Sequence, residues 1–211
     1  SGGLTNNVPF IATATTTYTV TGTDGLGCNG STTVLVTVNP MSGILAPATT
    51  NQSQDQGDDF NINYYDASCN LIATVDDGAG GNILGLTTSA VTVEPGFGVH
   101  NGQPYVQRWY QITPTSNGAA DVILYITQAE FNNYNAGVAL PYLPLPTGPL
   151  DAAGIANIRI TKNTDAGLGN SPVVITPTVN WNAVNSYWEL SFNTPGFSQF
   201  RVHSVNPGNV P

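Results

Sequence analysis

The chain has 211 residues, with 4 basic and 13 acidic side chains and a formal net charge of −9. Only 8% of its residues are charged, about a third of the fraction usual in globular proteins, and Thr, Asn and Gly carry the polarity instead. So few cations cannot neutralise phosphates, which argues against nucleic acid as a partner. Apolar residues make up 40% of the chain, with three Trp, nine Tyr and seven Phe, so a sizeable core is expected rather than disorder.

No apolar run approaches the ~18 residues a membrane span needs, and no signal peptide is present. The expectation is a mature, trimmed product or an excised fragment of one large or two small domains. The low-charge, Thr/Asn-rich composition reads as extracellular, where a disulfide is allowed. Cys28 and Cys69 fit no zinc or redox spacing. They are read either as a bridge from the first segment to the second or as two separate small hydrophobes.

Between residues 1 and 40 the sequence alternates as half-buried strands do. Ile11–Gly22 and Ser31–Asn39 are rich in Thr, Val and Tyr at period two, and Thr23–Gly30 between them is a turn. The pair predicts a β-hairpin, with Leu4–Phe10 as a third strand at most. Such a hairpin is marginal in water and needs other strands to cover it. Asn39-Pro40 ends it, and Met41–Asp59 reads as a linker or long loop.

From Phe60 onward strand signals recur at short spacing. Strands are expected near Phe60–Asp66, Asn70–Val75, Ile83–Val93, Tyr105–Thr113, Asp121–Thr127, Ile155–Thr161, Val173–Asn180, Tyr187–Phe192 and Ser198–Val205. Thr127-Gln128-Ala129-Glu130 is a capping box, with Phe131 and Tyr134 following at helical spacing. The Pro-rich stretch Pro141–Pro149 forbids regular structure and is expected to cross from one sheet to the other. The fold expected is all-β: a sandwich over residues 60–211 after a partial N-terminal unit.

The inventory for catalysis is poor. His100 in a Gly/Asn turn and His203 in the last strand lie near no nucleophile elbow or metal-binding helix, and both read as surface or capping groups. Two loop clusters of acids, Asp55, Asp58 and Asp59 with Asn61, and Asp76 and Asp77 with Asn82, suit calcium better than glycoside hydrolysis. Solvated loop acids explain them as well, and no catalytic site is assigned. Arg108 shares a strand face with Val106, Tyr110 and Ile112, so an inward ion pair with Asp121 or Glu130 is expected. Trp109 and Tyr105 then point outward. With Trp181 they form a candidate aromatic surface for stacking on sugars or for burial against a neighbour. Trp188, Leu190 and Phe192 alternate as core.

Several phrases carry a resemblance. Ala12–Pro40 resembles the closing half of the tandem immunoglobulin-like repeats of surface proteins exported by the type IX secretion pathway of Bacteroidota. Cys69–Thr74, Gln103–Thr113, Leu124–Asn135, Leu145–Ile160 and Trp181–His203 together resemble the β-sandwich module that precedes the C-terminal sorting domain in such proteins. The chain departs from that pattern with Trp at 109, where relatives usually have His, and in the short segment from Val75 to Val93. The resemblance implies an immunoglobulin-like β-sandwich, secretion to the cell surface and no established catalytic residues. It also implies that the chain starts within a repeat and stops about where a sorting domain begins.

Residues 1–40 are then half a domain with exposed strand edges, which aggregate or pair with another strand. The expectation is a non-enzymatic structural or adhesion subunit. Its Tyr18, Val20, Val34, Val36 and Val38 would complete a neighbouring copy, head to tail, as a filament. The rival expectation is a polysaccharide-binding module using Tyr105, Trp109 and Trp181. Neither requires a cofactor beyond the calcium considered above.

Overall fold

In the computed structural model, residues 12, 14–38, 43–78, 83–163 and 172–205 are described. They fall into two units, Ser1–Met41 and Ser42–Pro211. In the first, the period-two Thr/Val pattern forms β1 (Thr16–Thr23) and β2 (Asn29–Val36), paired antiparallel from Thr16↔Val36 to Thr23↔Asn29. The turn is closed by Asp24, whose side chain accepts from the backbone N–H groups of Leu26 and Cys28, both at 2.9 Å. The expected strand at Leu4–Phe10 lies outside the described residues.

The second unit is an all-β sandwich of antiparallel sheets. One sheet has five strands in the order β13 (Thr178–Asn182), β14 (Tyr187–Thr194), β10 (Ala120–Thr127), β5 (Leu71–Asp76) and β4 (Asn61–Tyr65). The other has six, in the order β12 (Val173–Ile175), β11 (Ile158–Asn163), β15 (Gln199–Ser204), β9 (Arg108–Pro114), β6 (Gly85–Val93) and β3 (Thr50–Gln56). A two-stranded ribbon, β7 (Gly98–His100) and β8 (Gln103–Tyr105), precedes β9.

Alternate residues of each sheet meet in one core. Val122, Leu124 and Ile126 of β10 and Trp188, Leu190 and Phe192 of β14 face Tyr110, Ile112, Ile160, Phe200 and Val202 of the six-stranded sheet. A smaller cluster, Leu45, Leu71, Tyr125 and Tyr187, lies on the outer face of the five-stranded sheet, where Tyr125 and Tyr187 stack edge-on at 5.2 Å.

The capping box forms as expected. Helix α1 (Gln128–Gly137) starts at Thr127, whose hydroxyl accepts from the Glu130 N–H, while the Glu130 carboxylate accepts from the Thr127 N–H at 2.8 Å. The Pro-rich stretch does connect the sheets, leading from α1 through the short α2 (Ala152–Ala156) to β11.

One difference from the sequence reading concerns residues 41–59. That stretch is not simply a linker: Leu45 bridges to Leu71, Ala46 is fully buried, and Thr50–Gln56 pairs along its whole length with β6. Its inward side chains are Gln52, Gln54 and Gln56 rather than apolar ones. Gln56, fully buried, donates to the Val75 carbonyl at 3.2 Å and accepts from the Tyr64 hydroxyl at 3.1 Å. Hydrogen bonds replace hydrophobic burial there, so no apolar period marks the strand.

Candidate functional site

The hairpin register sorts its side chains into two faces. Thr16, Tyr18, Val20, Thr32, Val34 and Val36 share one; Thr17, Thr19, Thr21, Ser31, Thr33 and Leu35 share the other. The residues expected to act in assembly therefore lie together, and Val38 continues their parity beyond the strand, its N–H bonded to the Thr15 hydroxyl at 2.8 Å. Within this unit no third described strand covers either face. Val20 is 54% exposed, Val34 48% and Leu35 63%. Asp24 is the only charged residue among residues 12–38.

The aromatic candidates are not gathered into a surface, which corrects the expected row. Trp109 is half-buried, and Tyr105 is buried at 6% exposure rather than pointing outward. The reason is Arg201, which lies directly across from Trp109 in the sheet. Its guanidinium sits 4.9 Å from the Trp109 ring centre and 5.3 Å from that of Tyr105. The Glu94 carboxylate accepts from the Tyr105 hydroxyl at 2.9 Å and from the Trp109 indole N–H at 3.1 Å. Gly98 permits this closure, since a β-carbon there would overlap the Tyr105 ring. Trp181 belongs to the other sheet and packs 5.1 Å from Trp188 at the core margin. Stacking of an arginine between two rings was not legible in the sequence; the alternation of Arg201 and His203 with Phe200 and Val202 was the available signal.

Arg108 points inward as expected, and Glu130 is its partner. Nε donates to Glu130 Oε1 at 2.8 Å, both side chains are 5% exposed or less, and Nη1 donates to the Ala46 carbonyl at 2.9 Å. Asp121 is elsewhere, on the outer face of the five-stranded sheet. There it stands opposite Asp76, in a row Asn61–Asp76–Asp121–Asn193 across four strands. This row edges a groove of about 360 Å³ that Thr74, Ile123, Thr178 and Ser191 also line.

The acids are not gathered as the calcium reading grouped them. Asp76 faces this groove, whereas Asp77 is buried and accepts from the Phe60 N–H at 2.9 Å. Adjacent strand residues point to opposite faces, so the pair is split. Asp55 is exposed on β3, Asp58 and Asp59 are exposed in the turn after it, and Asn82 lies outside the described residues. Among the described residues no group of three or more His, Cys, Asp or Glu is placed to hold a metal ion.

His203 is buried, not a surface group. Nδ1 donates to the Ser204 carbonyl at 2.8 Å, which leaves Nε2 to accept from the Thr161 hydroxyl at 2.6 Å. Burial pushes its pKa down, as burial followed by the charge of Arg201 does for His100. Cys28 is exposed in the hairpin turn of the first unit, and Cys69 stands at φ 62° in the β4–β5 turn of the second. Among the described residues no helix is long and apolar enough to cross a membrane. Comparison with protein-family models, curated proteins and solved structures found no match to this chain.

Proposed function

We propose that the chain is a non-catalytic structural subunit of an extracellular filament or surface layer, built by β-strand complementation between copies. The observation that carries this reading is the hairpin of β1 and β2. Among the described residues it is two strands long and nearly free of charge, and no third described strand covers the face on which Val20 is 54% and Val34 48% exposed. Two strands alone are marginally stable in water, and open edges pair with whatever strand they meet. A copy that donates at one end and accepts at another makes a heterologous contact, and such a contact propagates as an open polymer. The resemblance to exported Bacteroidota surface proteins supports the same location and the type IX route.

The test is deletion of residues 1–40. The second unit keeps its own core, so the truncated chain is expected to remain folded and soluble but to form no polymer. Polymerisation of the truncated chain as efficient as that of the whole chain would overturn the proposal.

A further inference from the structure

Among the described residues the two sheets end on one side at β3 and β4 and on the other at β12 and β13, and these two sides differ in chemistry. On one, β3 carries the inward glutamines Gln52, Gln54 and Gln56, with the exposed acids Asp55, Asp58 and Asp59 close by in sequence, and β4 is interrupted by a bulge between Tyr64 and Tyr65. On the other, β12 and β13 turn apolar residues toward the gap between the sheets. Ile175, Val179 and Trp181 are only partly buried against the core, and Val173, which shares a face with the inward Lys162, is 47% exposed. Its neighbour Val174 is 60% exposed. Residues 172–182 contain no charged side chain.

Charge decides between the two sides. A molecule of net charge −9 repels its own copies. Three of its four cations, Arg108, Lys162 and Arg201, are buried, so they offer no attraction at the surface. Association then favours surfaces that carry no charge. The hairpin is one such surface and the β12/β13 side is another. Both are apolar and exposed, a combination that isolated sheet edges ordinarily avoid.

We infer that the acceptor is this β12/β13 side: the hairpin of a second copy lays its Tyr18/Val20/Val34/Val36 face over Val173, Ile175, Val179 and Trp181. The inference rests on the filament reading and adds the surface that receives the donated strands. Val173 and Val20 are exposed, so charging either leaves the core of each unit intact, a point that near-ultraviolet circular dichroism checks.

The experiment uses full-length Val173→Lys and Val20→Glu chains, each alone and mixed in equal amounts, in sedimentation velocity. A charge stranded in a dry contact is expected to raise the concentration needed for assembly by about a hundredfold or more. Each variant alone should therefore sediment as a monomer. The mixture should associate into a dimer or longer species, because Val173→Lys retains a working donor and Val20→Glu a working acceptor, and the carboxylate introduced at position 20 of one copy can pair with the amine introduced at position 173 of the other. If Val173→Lys assembles like the unsubstituted chain while Val20→Glu does not, the acceptor lies elsewhere and the filament reading survives. Two inactive variants that fail to associate when mixed would also overturn the inference. Normal assembly by both variants would overturn the filament reading itself.

Discussion

Replacing Glu130 by Ala should be among the most damaging single changes in the second unit, and the structure indicates by how much. One carboxylate oxygen accepts from Arg108 Nε at 2.8 Å; the other accepts from the N–H and hydroxyl of Thr127, at 2.8 and 3.0 Å. Removing it strands a guanidinium that is almost wholly buried, at a cost of about 3–5 kcal/mol. It also opens the helix cap, which is worth about 1 kcal/mol. The combined loss, about 4–6 kcal/mol, is a large part of the ~5–15 kcal/mol that holds a typical domain together. Equilibrium urea denaturation measures it, with Thr127→Ala as the control that loses the cap alone and falls by only about 1 kcal/mol. The paired replacement Arg108→Met with Glu130→Leu should recover most of the loss, since nothing charged is then left buried. A Glu130→Ala penalty under about 1.5 kcal/mol would refute the argument, because the stranded charge would then have found water or another partner.

Two further outcomes follow from buried and facing charges. His203 is held neutral, with its folded pKa below its ordinary value, so the unfolded chain binds the extra proton. Stability is therefore complete above the unfolded pKa near 6.5 and falls as the pH drops below it, by up to about 1.4 kcal/mol per pH unit until the folded value is reached. Urea midpoints between neutral and mildly acidic pH, compared with His203→Gln, check this; an equal acid slope in the variant would contradict it. Asp121 and Asp76 face each other directly across β10 and β5, and Asp121→Asn should stabilise the sandwich by roughly 0.2–1 kcal/mol in the presence of EDTA. Destabilisation measured by thermal melting under that condition would mean that the two carboxylates do not repel as their register implies.

Much of the sandwich was legible because its strands declare themselves by period-two Val, Ile, Thr and aromatic residues, and because Thr127 and Glu130 mark a helix start unambiguously. The inward Arg108 followed from its neighbours on the strand, and only the choice of Glu130 over Asp121 needed three dimensions. What failed to show has a common cause. Gln56 of β3 and the ring-stacked Arg201 are buried through hydrogen bonds and cation–π contacts, which leave no hydrophobic period. Tyr105 was placed outward by strand alternation, yet the β7–β8 ribbon folds it onto Arg201. Trp181 was grouped with Trp109 although the two belong to different sheets, because pairing of β13 with β14 sets Trp181 opposite Trp188. In the first unit, the alternation did place Tyr18, Val20, Val34 and Val36 on one face, as the register has them.

The filament account is tested most directly by negative-stain electron microscopy of the full chain, with sedimentation velocity over a range of concentrations. The account predicts regular filaments with a repeat of a few nanometres and a sedimentation profile that shifts to larger species as concentration rises. Discrete monomers at every concentration would contradict it.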